Sequence, residues 1–487
     1  MFKALILVGM FVILSIQTFF SSFFYIVYLA VILSTIYLVI LENRNPVHTM
    51  AWILALVFLP VLGLVFYILI GRSTKRDRLI SRKGHVRLTK RPMAEFQLQA
   101  SLKNMTGKPR LMHFFGRVNK ALPFEGNKVN VYVDGSSMLQ DLIRAVYRAK
   151  HHIHIEFYIF ENDPVGRLFR DVLIDKARKG VEVRVLYDDV GCWKVDHSFF
   201  EQMLFEGIEA QGFLKVRFPL FTSKVNYRNH RKIAVIDGSV GFIGGMNIAS
   251  RYVYGFPWGR WRDTHVKIQG RAVYGLQTAF LTDWYFVNRT LLTSSKYFPK
   301  LENMGSSLVQ IVTSDPTGEW RDIMQGLVLA ISSARHYFYI QSPYLLPTEP
   351  VVVALQSAAL SGVDVRIMIP KRADSFITHM GSLSYLDNMM KAGIRIYLYK
   401  PGFLHSKLMV SDDEFATVGS TNMDFRSFEH NFEANAFFYD KETALELKKL
   451  FLQDQKECML LSPRLWSRRS RKSKVTESLV RLLAPVL

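Results

Sequence analysis

The sequence predicts an α/β fold: two tandem α/β sandwich halves forming one bilobal unit, preceded by N-terminal transmembrane helices. Two observations carry this reading. The chain repeats its own strand and helix pattern, and it begins with two uncharged apolar runs.

Residues 4–41 and 51–71 carry no charge, and each run exceeds the roughly 20 residues that cross a bilayer. A secretory signal has a shorter apolar region and a small-residue cleavage site, and neither is present. The first run is long enough for two spans turning at Ser21–Ser22 or for one long tilted span, so residues 1–71 are predicted to hold two or three transmembrane helices. Residues 72–127 read as a basic juxtamembrane linker. Within it, residues 72–91 hold nine Lys or Arg against one Asp, which by the positive-inside rule puts the downstream chain in the cytoplasm. The expectation is a multi-pass protein of the cell membrane with its α/β halves on the cytoplasmic side.

The halves are read as residues 128–306 and 307–462. "NVYVDGSSM" (130–138) is answered by "VQIVTSDPT" (309–317), "IHIEFYIF" (153–160) by "HYFYIQSPYL" (336–345), and "KGVEVRVLYD" (179–188) by "SGVDVRIMIP" (361–370). Amphipathic stretches at 165–180 and 351–362 fall between these apolar strands, the alternation of an α/β sandwich. Residues 463–487 form a basic amphipathic tail: 464–474 hold six basic residues, and Val475, Leu479, Leu482 and Leu483 share a helical face suited to a membrane interface.

The formal net charge is +21, and most of it lies in residues 72–91 and 464–474. A nucleic-acid groove would need that charge inside the halves. Its position instead suits anionic lipid headgroups, at about 1 kcal/mol per basic residue near the surface. No nucleic-acid partner is expected. Cys192 and Cys458 lie far apart without CxxC spacing, which argues against a disulfide framework and for a reducing compartment.

One polar pattern recurs with the fold. His230 and Lys232 share a strand face, as do His405 and Lys407, because residues two apart on a strand point the same way. The two histidines lie 175 residues apart. Asp237 and Asp412 come next with the opposite parity and read as turn residues that brace the strand ends. An imidazole beside an ammonium suits attack on an anionic phosphodiester: the lysine neutralises phosphoryl oxygens while the histidine attacks or carries a proton. One histidine cannot readily attack and protonate the opposite leaving group at once; two copies face to face supply both functions. His152 and His154 in "HHIH" are the rival cluster, read as a strand entry because no third metal ligand is in sight. No metal is expected.

The pattern H-x-K-x4-D with a Gly-rich turn and Asn after it resembles that of the phospholipase D superfamily. It occurs as His230, Lys232, Asp237 with "GGMN" ending at Asn247, and as His405, Lys407, Asp412 with "GSTN" ending at Asn422. Gly245 stands where the second copy has Ser420, so the resemblance implies a hydroxyl contact to phosphate from the second half alone. Asp263 in "WRDTHVKIQG" and Glu433 in "NFEANAFF" are similar in placement to the carboxylates with which family members hold each histidine's second nitrogen. The segments "AWILALVFLPVLGLVFYILIGR", "RNHRKIAVIDGSVGFIGGMNI" and "GFLHSKLMVSDDEFATVGSTNMDFRS" resemble the membrane element and the two catalytic segments of bacterial cardiolipin synthases.

That resemblance implies phosphatidyl transfer between two phosphatidylglycerol molecules through a phosphatidyl-histidine, releasing glycerol and consuming no cofactor. It implies His230 as nucleophile, His405 as acid and then base, and Lys232, Lys407, Asn247 and Asn422 on the phosphoryl oxygens. Hydrolytic phospholipase D or another phosphatidyl transferase is the alternative, since water competes for the same intermediate; a nuclease ranks below both. The aromatic and basic stretches 214–228 and 254–261 are read either as the rim of an interfacial entrance or as plain core and loop.

Overall fold

The structure, a computed structural model, describes residues 2–41, 46–67, 81–97, 110–216 and 226–482. They fall into two compact units, Met1–Arg76 with Val216–Asn226, and Asp77–Lys215 with Tyr227–Leu487.

In the first unit, the first apolar run is one continuous helix, Phe2–Leu41, of 40 residues, about 60 Å long at 1.5 Å per residue. It does not turn at Ser21–Ser22; no Pro or Gly stands there to interrupt it. Its Ser22–Leu41 portion is long and apolar enough to cross a membrane. The second run is not one straight span. It divides into helices Pro46–Phe58 and Pro60–Phe66 at Leu59, whose φ of −129° and ψ of 62° lie outside the helical region, because the ring of Pro60 clashes with a helical residue before it. Residues 68–71 lie outside the described residues. Ile32, Val39, Leu56 and Tyr67 bury together between these helices.

Among the described residues, the second unit is built on a sixteen-stranded sheet whose two flanks repeat one another. In the first half, the strands His152–Phe157, Glu182–Asp188 and Glu209–Phe213 run parallel. The hairpin Lys232–Ile236 and Val240–Gly244 pairs antiparallel beside them, and His265–Gln269 comes next. The second half repeats this with Tyr337–Gln341, Asp364–Pro370 and Arg395–Tyr399, the hairpin Leu408–Ser411 and Phe415–Gly419, and Asn431–Phe438. The halves join where Pro123–Tyr132 pairs antiparallel with Ser307–Ser314. This seam starts the first half at Pro123, inside the stretch read from sequence as linker.

The β-branched and aromatic strand residues bury on both faces, as the parallel strands of a doubly covered sheet require. One core joins both halves and includes Val235, Ile268, Val410 and Ala436. Each half has its own outer core, around Ile155 and Phe169 in the first and Ile340 and Leu355 in the second.

Much of the stretch read as linker is integral to this unit. The helix Arg82–Gln97 buries Leu88 in the shared core and sets Glu95 against Arg91 at 2.9 Å and Arg271 at 3.5 Å. The helix Arg110–Val118 buries Leu111 and Phe115 in the outer core of the second half. Residues 72–80 and 98–109 lie outside the described residues.

Candidate active site

Each His-x-Lys segment is tied at its histidine to main chain of the opposite half. The His230 amide donates to Phe432 O at 2.9 Å, and the His405 amide donates to Arg262 O at 2.7 Å. Short parallel pairings precede each histidine, Arg228–Asn229 on Asn431–Phe432 and Gly402–Leu404 on Arg260–Arg262. The residue between His and Lys points the other way and staples the halves. Buried Arg231 donates through Nε to Glu433 O at 3.1 Å and through Nη2 to Ser314 O at 3.2 Å, and it pairs with Asp283. Ser406 shares a 2.7 Å hydrogen bond with Thr264.

The carboxylates cross over in the same way. His230 Nδ1 lies 3.0 and 3.1 Å from the two oxygens of Glu433, and His405 Nδ1 lies 2.6 Å from Asp263 Oδ2. With Nδ1 engaged, Nε2 is the nitrogen each ring can offer to a ligand. Burial, reinforced by Lys232 and opposed by Glu433, brings His230 down to about 4. Burial and Lys407, opposed by Asp263, bring His405 down to about 3. Both rings are therefore neutral at neutral pH. Burial alone would raise Glu433 and Asp263, but the facing histidines and lysines hold both below their ordinary values. Each contact is thus a hydrogen bond from a neutral imidazole to a carboxylate.

Lys232 Nζ donates to His230 O at 2.6 Å and Lys407 Nζ to His405 O at 2.5 Å. Lys407 Nζ also lies 2.9 Å from His405 Nδ1. Both lysines are buried. Burial pushes Lys232 well below its ordinary value and Lys407 down to about 8.

Asp237 and Asp412 stand away from the histidines. Asp237 accepts from the amides of Lys150, His151 and His152 at 2.8, 2.8 and 3.0 Å; Asp412 accepts from those of Arg335, His336 and Tyr337 at 2.7, 2.9 and 3.0 Å. Both have φ of 53° at the hairpin tip, a left-handed conformation that Asp tolerates better than most residues.

Asn247 accepts from the Ile159 amide at 3.0 Å and donates to the Tyr252 hydroxyl at 2.5 Å. Asn422 is buried with no protein partner for Oδ1 among the described residues. Ser420 does not face the cleft as the resemblance implied: its hydroxyl donates to Glu433 and accepts from the Ala434 amide at 3.0 Å. The matching Gly245 has a steric cause, since a Cβ there would lie 2.1 Å from Asp263 Oδ1. The first half instead supplies that carboxylate with the Thr264 amide at 2.7 Å.

His230, His405, Asn247 and Asn422 line one cleft of about 270 Å³. Its wall adds residues the sequence did not single out: Tyr158, Arg228, Arg251, Tyr344 and Arg426. Trp261, from the aromatic stretch 254–261, sets its ring 4.9 Å from that of His405 and so belongs to the site wall. Of the stretch 214–228, residues 217–225 lie outside the described residues. His152 and His154 point elsewhere, at 3.2 and 2.8 Å from the side chain of Gln277. The described residues bring no three metal-ligating side chains together.

Comparison with known proteins accounts for this doubled arrangement. The family described as cardiolipin synthase, PLD-like domain, matches residues 142–284 and 327–455. Residues 26–72 match a phospholipase D-nuclease N-terminal family. A cardiolipin synthase from Geobacillus sp. (strain WCH70) is 39% identical over 463 residues, covering 93% of this chain and 91% of the relative. The chain belongs to the cardiolipin synthase family of the phospholipase D superfamily. A cardiolipin synthase from Listeria monocytogenes is 37% identical, covering 92% of this chain and 95% of its own. Among solved structures, the phosphatidylserine synthase of Haemophilus influenzae Rd KW20 superposes with a TM-score of 0.59 at 13% identity, covering 78% of this chain and all of that one; at that identity the likeness concerns the fold. As a cardiolipin synthase family member, the chain is an enzyme of the phospholipase D type with two halves.

Proposed function

We propose that the enzyme is a membrane-bound phosphatidyl transferase that converts two phosphatidylglycerol molecules into cardiolipin and glycerol through a phosphatidyl-histidine. In the first step His405 takes up a proton as the anionic phosphate enters the cleft and favours its charged form; His230 Nε2 then attacks phosphorus, the bond from phosphorus to the headgroup oxygen breaks, and His405 gives that proton to the departing glycerol. In the second, neutral His405 takes the proton from the terminal hydroxyl of another phosphatidylglycerol. That oxygen attacks phosphorus, the phosphorus–nitrogen bond breaks, and cardiolipin leaves with His230 restored. Glu433 and Asp263 hold the tautomers and stabilise each imidazolium as it forms.

The observation that carries this reading is the pair of imidazoles in one cleft, each anchored through Nδ1 by a carboxylate of the other half. Lys232, Lys407, Asn247 and Asn422, with Arg228, Arg251 and Arg426, supply positive charge and donors for the phosphoryl oxygens. Transfer needs the acceptor lipid at high local concentration, which a membrane supplies without any new contact. The apolar helix Ser22–Leu41 supports attachment to a membrane, and the basic residues after the apolar runs favour the cytoplasmic side for the α/β halves. The test is product analysis. With phosphatidylglycerol bilayers, cardiolipin and glycerol should form in nearly equal amounts with little phosphatidic acid. Dominant phosphatidic acid in intact bilayers would make the enzyme a hydrolase.

A further inference from the structure

Exposed apolar side chains stand next in the chain to elements of the cleft wall. Trp193 is 76% exposed, Tyr254 74% and Phe376 69%. Each lies beside a cleft residue. Trp193 comes directly after Gly191 and Cys192, which pack on Tyr158, where Cys192 Sγ lies 3.7 Å from the carbonyl oxygen. Tyr254 ends the helix that carries Arg251 and Tyr252, and Phe376 stands between Asp374 and Thr378 of the wall.

The C-terminal helix Arg471–Leu482 extends this rim. It packs on the helix Phe376–Lys391, with Arg481 over the Tyr385 ring at 4.5 Å and Val480 beside Gly381. Its other side leaves Val475, Leu479 and Leu482 more than half exposed, at the spacing of one helical face; Leu483 lies outside the described residues. Basic residues flank them: Arg468, Arg471, Lys472 and Lys474 on the tail, and Lys371 and Arg372 before Phe376.

Exposed large apolar side chains grouped near a cleft suit an interaction surface. Trp and Tyr beside Lys and Arg suit the headgroup boundary of an anionic bilayer. We infer that the cleft rim and the outer face of the Arg471–Leu482 helix insert together into an anionic lipid leaflet, so that phosphatidylglycerol enters the cleft from the membrane without crossing water. This rests on the phosphatidyl-transfer reading for its ligand but on surface geometry for its location.

The test uses the full-length enzyme in nanodiscs, with a fluorophore on Phe376→Cys or Leu479→Cys in a Cys458→Ser background. Lipids brominated along the acyl chain should quench both labels about twofold in phosphatidylglycerol-containing discs, as insertion of about 5–10 Å requires, and less in discs of phosphatidylcholine alone. A label on Phe205→Cys, 89% exposed at the far end of its helix, should stay unquenched. The variant carrying Val475→Glu and Leu479→Glu should lose about tenfold in turnover on bilayers while keeping turnover of detergent-dispersed short-chain phosphatidylglycerol. Equal quenching at 205, 376 and 479, quenching indifferent to phosphatidylglycerol, or equal losses on both substrates would overturn the inference. Quenching is read without regard to products, so a hydrolase would still report on the surface.

Discussion

At the scale of single residues, the two motif copies are matched in chemistry and different in packing. Gly245 leaves room for the Asp263 carboxylate where Ser420 donates to Glu433. Gly245→Ser, which makes the first copy look like the second, should therefore displace Asp263 and cost about 100-fold in turnover, since misplacing a catalytic group by about 1 Å costs that much; steady-state kinetics on phosphatidylglycerol bilayers checks this. The lysines set a pH dependence. Lys407, brought down to about 8 by burial, is cationic below that pH and loses its charge as the pH rises through it. Competitive inhibition by sulfate, a dianion across this range, should weaken above about pH 8 rather than near the ordinary lysine value of about 10.4, and Lys407→Arg should remove that limb. The four His and Lys residues were legible from their repeated spacing, although not on one strand as expected: His230 lies just before the strand Lys232–Ile236, and His405 and Lys407 both lie before the strand Leu408–Ser411. Arg228, Tyr158 and Arg426 were not, because they reach the cleft from loops whose approach is set by tertiary packing.

At the scale of elements, the recurring spacing of each motif resolves into two jobs. The connection into the hairpin presents the imidazole, and the hairpin tip five residues after the lysine ties the hairpin to the strand His152–Phe157 or Tyr337–Gln341. Asp412→Ala loses three backbone hydrogen bonds to a carboxylate and puts alanine at φ of 53°. It should cost about 2–3 kcal/mol of stability, while Asp412→Asn, which keeps an acceptor and tolerates the turn, should cost less. Thermal unfolding in detergent measures both, and the folded fraction of either variant should retain turnover. The hairpin turns were legible from Asp-Gly chemistry. The N-terminal elements were less so: uncharged composition marked both apolar runs, but whether the first turns at Ser21–Ser22 depends on helix continuity that hydropathy does not encode. The break before Pro60, by contrast, stems from a local clash and was readable in principle. The stretch 72–127 read as linker because its charge masks the few apolar positions, Leu88, Leu111 and Phe115, that bind its helices to the core.

At the scale of the whole molecule, duplication builds a site that neither half holds alone. Each histidine is hydrogen-bonded by main chain of the other half and braced by its carboxylate. The repeat announced two halves, and the placement of Asp263 and Glu433 was visible in sequence, but the crossing was not, since it exists only once the halves dock. In the proposed mechanism one histidine attacks and the other moves the proton. A phosphatidyl ester of p-nitrophenol, whose phenolate leaves without a proton, separates the roles. His405→Ala should release one equivalent of nitrophenolate in a burst and then stall, with an alkali-stable, acid-labile phosphatidyl group on the peptide containing His230. His230→Ala should show no burst. A burst from His230→Ala with none from His405→Ala would reverse the roles, and a labelled protein from neither variant would contradict the covalent mechanism.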